Sequence, residues 1–168
     1  MISIVLFSTK GSVFAKIVSS LISWFEDGSR ITHAGIGLNI DGVPHILHAT
    51  WPKVVLVPRD QVLQSHNVVA EFEVIPDISN EIEIAEKKVG EPYSLLTLFG
   101  YIAVVIGKYF GVGIDNPLSS KSAVVCSEFV VEVDVNHEIH EFDELDASDI
   151  TPADLYFLCA YGDSFRRI

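Results

Sequence analysis

Positive charge is scarce in this sequence. Its 168 residues include 11 Lys and Arg against 23 Asp and Glu, for a formal net charge of −12. A nucleic-acid binder displaces counterions from phosphates with cations, and a surface of this sign repels phosphate instead. Adhesion to anionic lipid by charge is excluded on the same ground. The shortage is sharpest late in the chain, where no Lys or Arg occurs from Ser122 to Phe165, while Glu128, Glu132, Glu138, Glu141, Asp146 and Asp154 all fall there. Such a run reads as a solvated acidic face.

Cysteine is nearly as scarce. Cys126 and Cys159 are the two present, too few for a disulfide framework, so the expectation is a reduced, cytoplasmic setting with one thiol free for chemistry. A secretory signal is not expected either, because the apolar run of MISIVLFSTK precedes its first cation. No apolar run reaches the ~18–20 residues of a membrane span. The longest, from Leu95 to Gly107, reads as a buried helix. An interfacial hairpin that touches membrane between Leu95 and Val112 is the less favoured alternative. GxSxG and a glycine-rich phosphate loop are missing, as is any CxxC pair. His137-Glu138-Ile139-His140-Glu141 carries ligand types without HExxH spacing. His33, His48 and Cys126 have the chemistry for zinc, but the expectation is no metal and no cofactor.

Apolar surface is what the chain has in quantity. Hydrophobic residues make up 49% of it and the mean hydropathy is +0.37, enough for one packed domain over residues 1–168. Residues 2–7 read as a strand. Val13, Phe14, Ile17, Val18, Leu21, Ile22 and Phe25 form the stripe of a helix over 12–25. Strands are expected at 31–40 and 43–50, joined by Asp41-Gly42, the strongest short hairpin signal, and at 54–57 and 68–75. A helix over 82–89 stops at Gly90-Glu91-Pro92, a second helix covers 95–107, and 111–121 reads as a loop. Residues 126–135 are open between helix and strand, since Cys126, Phe129, Val130 and Val133 fit one helical face while the valine content favours a strand. Thr151-Pro152-Ala153-Asp154 starts a turn or short helix that leads into the apolar run 155–160. The fold class is α+β, an antiparallel sheet packed against helices.

The hairpin arithmetic brings two histidines together. With a two-residue turn, Ile40 pairs with Val43, so His33 lies opposite Thr50 and His48 opposite Gly35. His33 and His48 then share a face as diagonal neighbours roughly 7–8 Å apart, within reach of ring side chains, while His45 faces the other way. Gly35 and Gly37 share the His33 face and leave the imidazole uncovered, and the opposite face of Thr32, Ala34, Ile36 and Leu38 looks like core. An open histidine with a second polar residue to orient it is the geometry a general base needs. If a helix starts near Cys126, its N-terminal field favours the thiolate and its free N–H groups can receive an oxyanion. Glu128 in that first turn reads as dipole-stabilising, and Cys159 reads as an inert core thiol.

His33-Ala34-Gly35-Ile36-Gly37-Leu38, the hairpin and Ile46-Leu47-His48-Ala49 resemble the histidine strands of NlpC/P60 papain-like cysteine peptidases. Ala85 to Tyr93 resembles the segment before that family's nucleophile, and Val125-Cys126-Ser127-Glu128-Phe129-Val130 its nucleophile helix. Because the histidines come first and the cysteine last, the order is similar to the circularly permuted branch, which includes YiiX-like proteins and, more distantly, lecithin retinol acyltransferase-like enzymes. Cys-Ser-Glu in place of Cys-Ser-Gly, and Ile150 to Leu155, also look YiiX-like. The resemblance implies a permuted papain-like fold and a hydrolase of peptide or acyl-amide bonds. Cys126 would be the nucleophile, His33 the general base, His48 its orienting residue and Tyr93 a substrate-pocket residue. The Trp-Gly-Gly stretch usual after the tyrosine is replaced by the apolar segment from Leu95 to Gly107. That points away from a cell-wall peptide and keeps open a lipid acyltransferase or thioesterase using the same triad, or an inactive binding module.

Overall fold

The computed structural model describes residues 2–10, 31–76, 81–93, 107, 111–112, 126–133, 139–143, 145–147 and 150–168. The chain runs β1 (Ser3–Thr9), β2 (His33–Ile40), β3 (Val43–Thr50), β4 (Lys53–Pro58), α1 (Arg59–Leu63), β5 (His66–Val74), α2 (Glu81–Lys88), α3 (Cys126–Glu132), a 3-10 turn (His140–Phe142), α4 (Pro152–Tyr161) and β6 (Phe165–Arg167). The six strands form one antiparallel sheet in the order β4-β3-β2-β1-β5-β6. The expected helices at 12–25 and, apart from Gly107, at 95–107, and the loop at 111–121 apart from Gly111 and Val112, lie outside the described residues.

The hairpin has the expected register. Ile40 faces Val43, and Ile36 faces Leu47. Asp41 and Gly42 both take positive φ, 52° and 80°, which is the backbone of a turn whose twist matches the two strands. Alternation then sorts the sheet into two faces. One carries Ile4, Leu6, Ala34, Ile36, Leu47 and Phe72 into the main core, where they meet Phe129 and Val130 of α3 and Leu155 of α4. The other carries Val5, Phe7 and Ile46, covered by Val62 of α1. Each fully buried Leu, Ile or Phe contributes about 1.5–3 kcal/mol by leaving water, so the face that takes most of these residues decides where the helices sit.

α3 settles the open reading of residues 126–135 as helix over its described length. Cys126, Ser127, Glu128, Phe129, Val130 and Val131 are all buried, and in a helix buried nearly all round tertiary packing overrides the strand preference of valine. The acidic stretch is therefore not wholly solvated: Glu128 is buried at 5% exposure. Ser127 Oγ donates to the Ile150 carbonyl at 2.5 Å and ties α3 to the start of α4. There, Thr151 Oγ1 accepts from Asp154 N and Asp154 Oδ2 accepts from Thr151 N, both at 3.1 Å, with Pro152 in the first turn. This reciprocal cap turns the expected turn or short helical start into a ten-residue helix.

α1 and β6 were not expected from the sequence. α1 is five residues long with Val62 as its buried residue, too short to show a period. It is held over the second face by a fork. Arg59 Nη1 and Nη2 donate to the two Glu71 carboxylate oxygens at 2.8 and 2.6 Å, and Ser3 Oγ donates to Oε1 at 2.9 Å. Burial opposes charge on Glu71, but Arg59 and Ser3 outweigh it and hold the carboxyl below its usual range. At the outer edge, β4 is covered by residues 90–93: Val54 N donates to Glu91 O, Gly90 N donates to Val54 O, and Lys53 bridges Pro92.

Gly42→Val places a β-branched residue at a φ of 80°, which costs about 1–2 kcal/mol. The expected result is a denaturant midpoint lowered by that amount with an unchanged m-value, read by urea titration of circular dichroism.

Candidate active site

His33 is the first residue of β2 and His48 sits near the end of β3. Both side chains emerge on the α1-covered face, and His33 Nε2 lies 2.8 Å from His48 Nδ1. Their rings meet edge to face, with centroids 5.1 Å apart and planes at 73°. The diagonal pairing expected from the turn is thus closed into a hydrogen bond. His45 faces the other way, opposite Leu38, and its Nδ1 donates to the Val43 carbonyl at 2.9 Å.

Gly35 marks a close approach by the neighbouring strand, one of the two meanings a strand glycine has, and does not leave the imidazole uncovered. Its side is not open floor. A Cβ there would stand 3.0 Å from Ile46 Cγ2 and 3.1 Å from His48 Cβ, tighter than most real contacts. The glycine leaves room for the neighbouring strand, and so for His48 to lean toward His33.

A third histidine, which sequence reasoning missed, joins the pair. Along β5, Ala70, Phe72 and Val74 point into the main core, and plain alternation would send His66 the same way. A bulge intervenes: Leu6 pairs with Ala70 but Phe7 pairs with Val68, so Val69 is an extra residue. The strand flips parity there and His66, opposite Thr9, emerges on the imidazole face. Its ring lies 5.1 Å from that of His33 at 31°, and 5.8 Å from Phe7. No periodic signal announces a bulge, which is why this residue was not legible.

Burial sets the charge state of the cluster. His33 and His48 are 9% and 6% exposed. Desolvation, then the neighbouring His48 and His66, push His33 well below the usual imidazole value. Desolvation, then His66, push His48 down to about 4. Both rings are neutral at pH 7.

Cys126 opens α3, which packs on the main-core side of β2 and β3. Tyr93 lies within its electrostatic reach: burial first, and the Cys126 charge second, push the Tyr93 hydroxyl up. Tyr93 N donates to the Pro52 carbonyl at 2.9 Å, in the turn after β3. The structure therefore brings His33 to His48 and places Tyr93 within electrostatic reach of Cys126. Cys159 is 2% exposed in the core, its thiol pushed up by burial and then by Glu141, in keeping with an inert role.

Among the described residues, no group of three or more His, Cys, Asp or Glu is arranged to hold a metal ion. Of the ligand-rich stretch 137–141, the described His140 is spent on an exposed contact to Asp143 at 3.3 Å. No described helix is long and apolar enough to cross a membrane.

No protein-family model matches this chain, and no curated protein does. Its fold is similar to that of the crystal structure of the metalloprotein yiiX from Escherichia coli O157:H7 (DUF1105), with a TM-score of 0.62, 15% sequence identity, and coverage of 99% of this chain and 94% of that one. At this identity the likeness is one of fold: a YiiX-like α+β arrangement.

The depressed imidazoles give a stability profile with a definite sign. Unfolded histidine takes its proton near pH 6.5, whereas folded His48 waits until about 4. Between those values the unfolded state binds more protons, so stability is full above pH 6.5 and is lost as pH falls. His48 alone accounts for a loss on the order of 3 kcal/mol. Urea midpoints measured from pH 7 to 4 are expected to fall across that window, and less steeply in His48→Asn.

Proposed function

We propose that the chain is a thiol-dependent hydrolase of amide bonds in peptide or acyl-amide substrates, on a permuted papain-like (NlpC/P60) plan. The observation that carries this reading is the buried, neutral His33–His48 pair. Folding alone does not call for two desolvated imidazoles bonded to each other, since burying them weakens the protein at acid pH. The pair also suits a base: with one ring nitrogen of His33 engaged by His48, the other is the atom that would take a proton.

In this reading His33 Nε2–H donates to His48 Nδ1, which leaves His33 Nδ1 with its lone pair. Nδ1 takes the Cys126 proton, and Sγ attacks the substrate carbonyl carbon. The oxyanion is received by backbone N–H groups at the start of α3. The intermediate collapses as the C–N bond breaks and the leaving amine takes the proton from His33; water, deprotonated at Nδ1, then attacks the thioester carbonyl, the C–S bond breaks, and the proton on His33 returns to Sγ as the acid leaves. His48 is a neutral acceptor, so it orients His33 without supplying the full counter-charge a carboxylate would. A low His33 proton affinity follows, and with it a base that works from the neutral thiol rather than from a standing thiolate–imidazolium pair. Tyr93, packed toward Cys126, would border the acyl pocket.

The structural relative is described as a metalloprotein. The described residues here do not fit that chemistry. Three ligands do not converge, and His33 Nε2 and His48 Nδ1 are turned to each other. No step is routed through a metal.

Iodoacetamide labelling near neutral pH, followed by mass spectrometry, tests the assignment. Cys126 is expected to react at least ~10-fold faster than Cys159, and His33→Ala to remove most of that advantage, in line with the ~10²–10⁴ a positioned base supplies. Equal labelling of the two thiols, or a rate indifferent to His33, would sink it. Mass spectrometry of Cys126 after incubation with cell extract would identify the acyl class from a trapped thioester.

A further inference from the structure

His33 is restrained along its edge by His48, but a bond at one ring nitrogen leaves the ring free to swivel about that contact. The second restraint comes from β5. His66 lies against the face of His33, its plane inclined by 31° and its centroid 5.1 Å away, whereas His48 meets the same ring at 73°. Phe7 fills a further side at 6.0 Å. His66 is itself fixed. Its Nδ1 lies 2.8 Å from Ser65 Oγ and 3.4 Å from the Val62 carbonyl, and Ser65 Oγ donates to that carbonyl at 3.3 Å. A carbonyl only accepts, so Nδ1 carries hydrogen and any further proton enters at Nε2. The bulge at Val69 spends one residue of ladder to bring this ring to the imidazole face.

We propose that His66 is a positioning residue for His33, holding the plane of its ring and, as the outermost imidazole of the three, taking up the first proton on acidification so that the inner pair stays neutral. The catalytic part of this role rests on the hydrolase reading above; the coupling of the three rings does not. His66 is partly exposed, while His33 and His48 are buried, so water reaches His66 first. The charged and titratable groups around His33 are few. β3 supplies His48 and β5 supplies His66, with Lys10 just beyond β1 acting on His66. On α1, Asp60 is in the first turn and Arg59 is committed to Glu71. α3, in contact with β2 and β3, brings Cys126 and Glu128. A proton on His66 opposes one on His33, and the inner ring keeps its lone pair to lower pH.

Imidazole nitrogen NMR on the full chain reads this without any substrate. In wild type His66 is expected to titrate first, with its Nδ1–H tautomer populated. In His66→Ala the His33 midpoint rises by at least ~0.5 unit, the size reached by two charges about 5 Å apart even under bulk-water screening. His66→Phe keeps a ring against His33 and removes the charge. It is expected to retain the plateau rate of Cys126 alkylation within about 2-fold, whereas His66→Ala lowers it roughly 10-fold as the base loses its alignment. A His33 midpoint unmoved in His66→Ala, or His66→Phe as slow as His66→Ala, overturns the proposal. If wild-type alkylation proves independent of His33, the hydrolase reading fails and the positioning role with it, while the NMR shift still decides the coupling.

Discussion

A two-residue turn at Asp41 and Gly42 sets β2 against β3, and with them the face on which each side chain of the central sheet emerges. With two positive φ angles in succession, the register cannot drift without a backbone that ordinary residues resist. Period-two alternation does the rest. Ala34 and Ile36 enter the core with Leu47, and His33 and His48 leave on the other face. A slip of one residue would bury the imidazoles among aliphatic side chains and expose the aliphatics. The hydrogen bond between the two histidines and the core packing are therefore one specification.

Carboxylates on the imidazole face of this acidic chain are paired with cations. The nearby carboxylate Glu71 is closed off by Arg59 and Ser3, and Glu73 is bonded by Arg166. A free carboxylate there would hold an imidazole protonated, whereas His48 as a partner favours the neutral ring.

Much of this was readable from residues alone, and the exceptions share a cause. The hairpin, the shared face of His33 and His48 and the core identity of Cys159 follow from local turn chemistry and alternation. The helix at Cys126 was open because its valines argue for strand, and only surroundings that bury it all round decide otherwise. Gly35 was legible as a place of close approach, but what approaches it, His48 Cβ and Ile46, comes from the next strand. His66 lies one bulge away from the parity that sequence implies, and α1 is too short to carry a pattern. Each depends on a partner distant in sequence. The resemblance to permuted papain-like proteins anticipated a YiiX-like fold, and the solved relative supports it at that level.

The covered margin of β4 has a further consequence. An outermost strand with free amide groups is a template for another chain. Here Val54 is already paired with Gly90 and Glu91, and the next position outward is Pro92, which has no amide hydrogen to offer. At the opposite margin β6 is three residues long, two of them arginines. Short, charged or proline-blocked margins resist strand addition. Among its described residues, a chain that is half hydrophobic by composition keeps its sheet finite, so that its apolar strands fold inward on one another rather than outward into fibres.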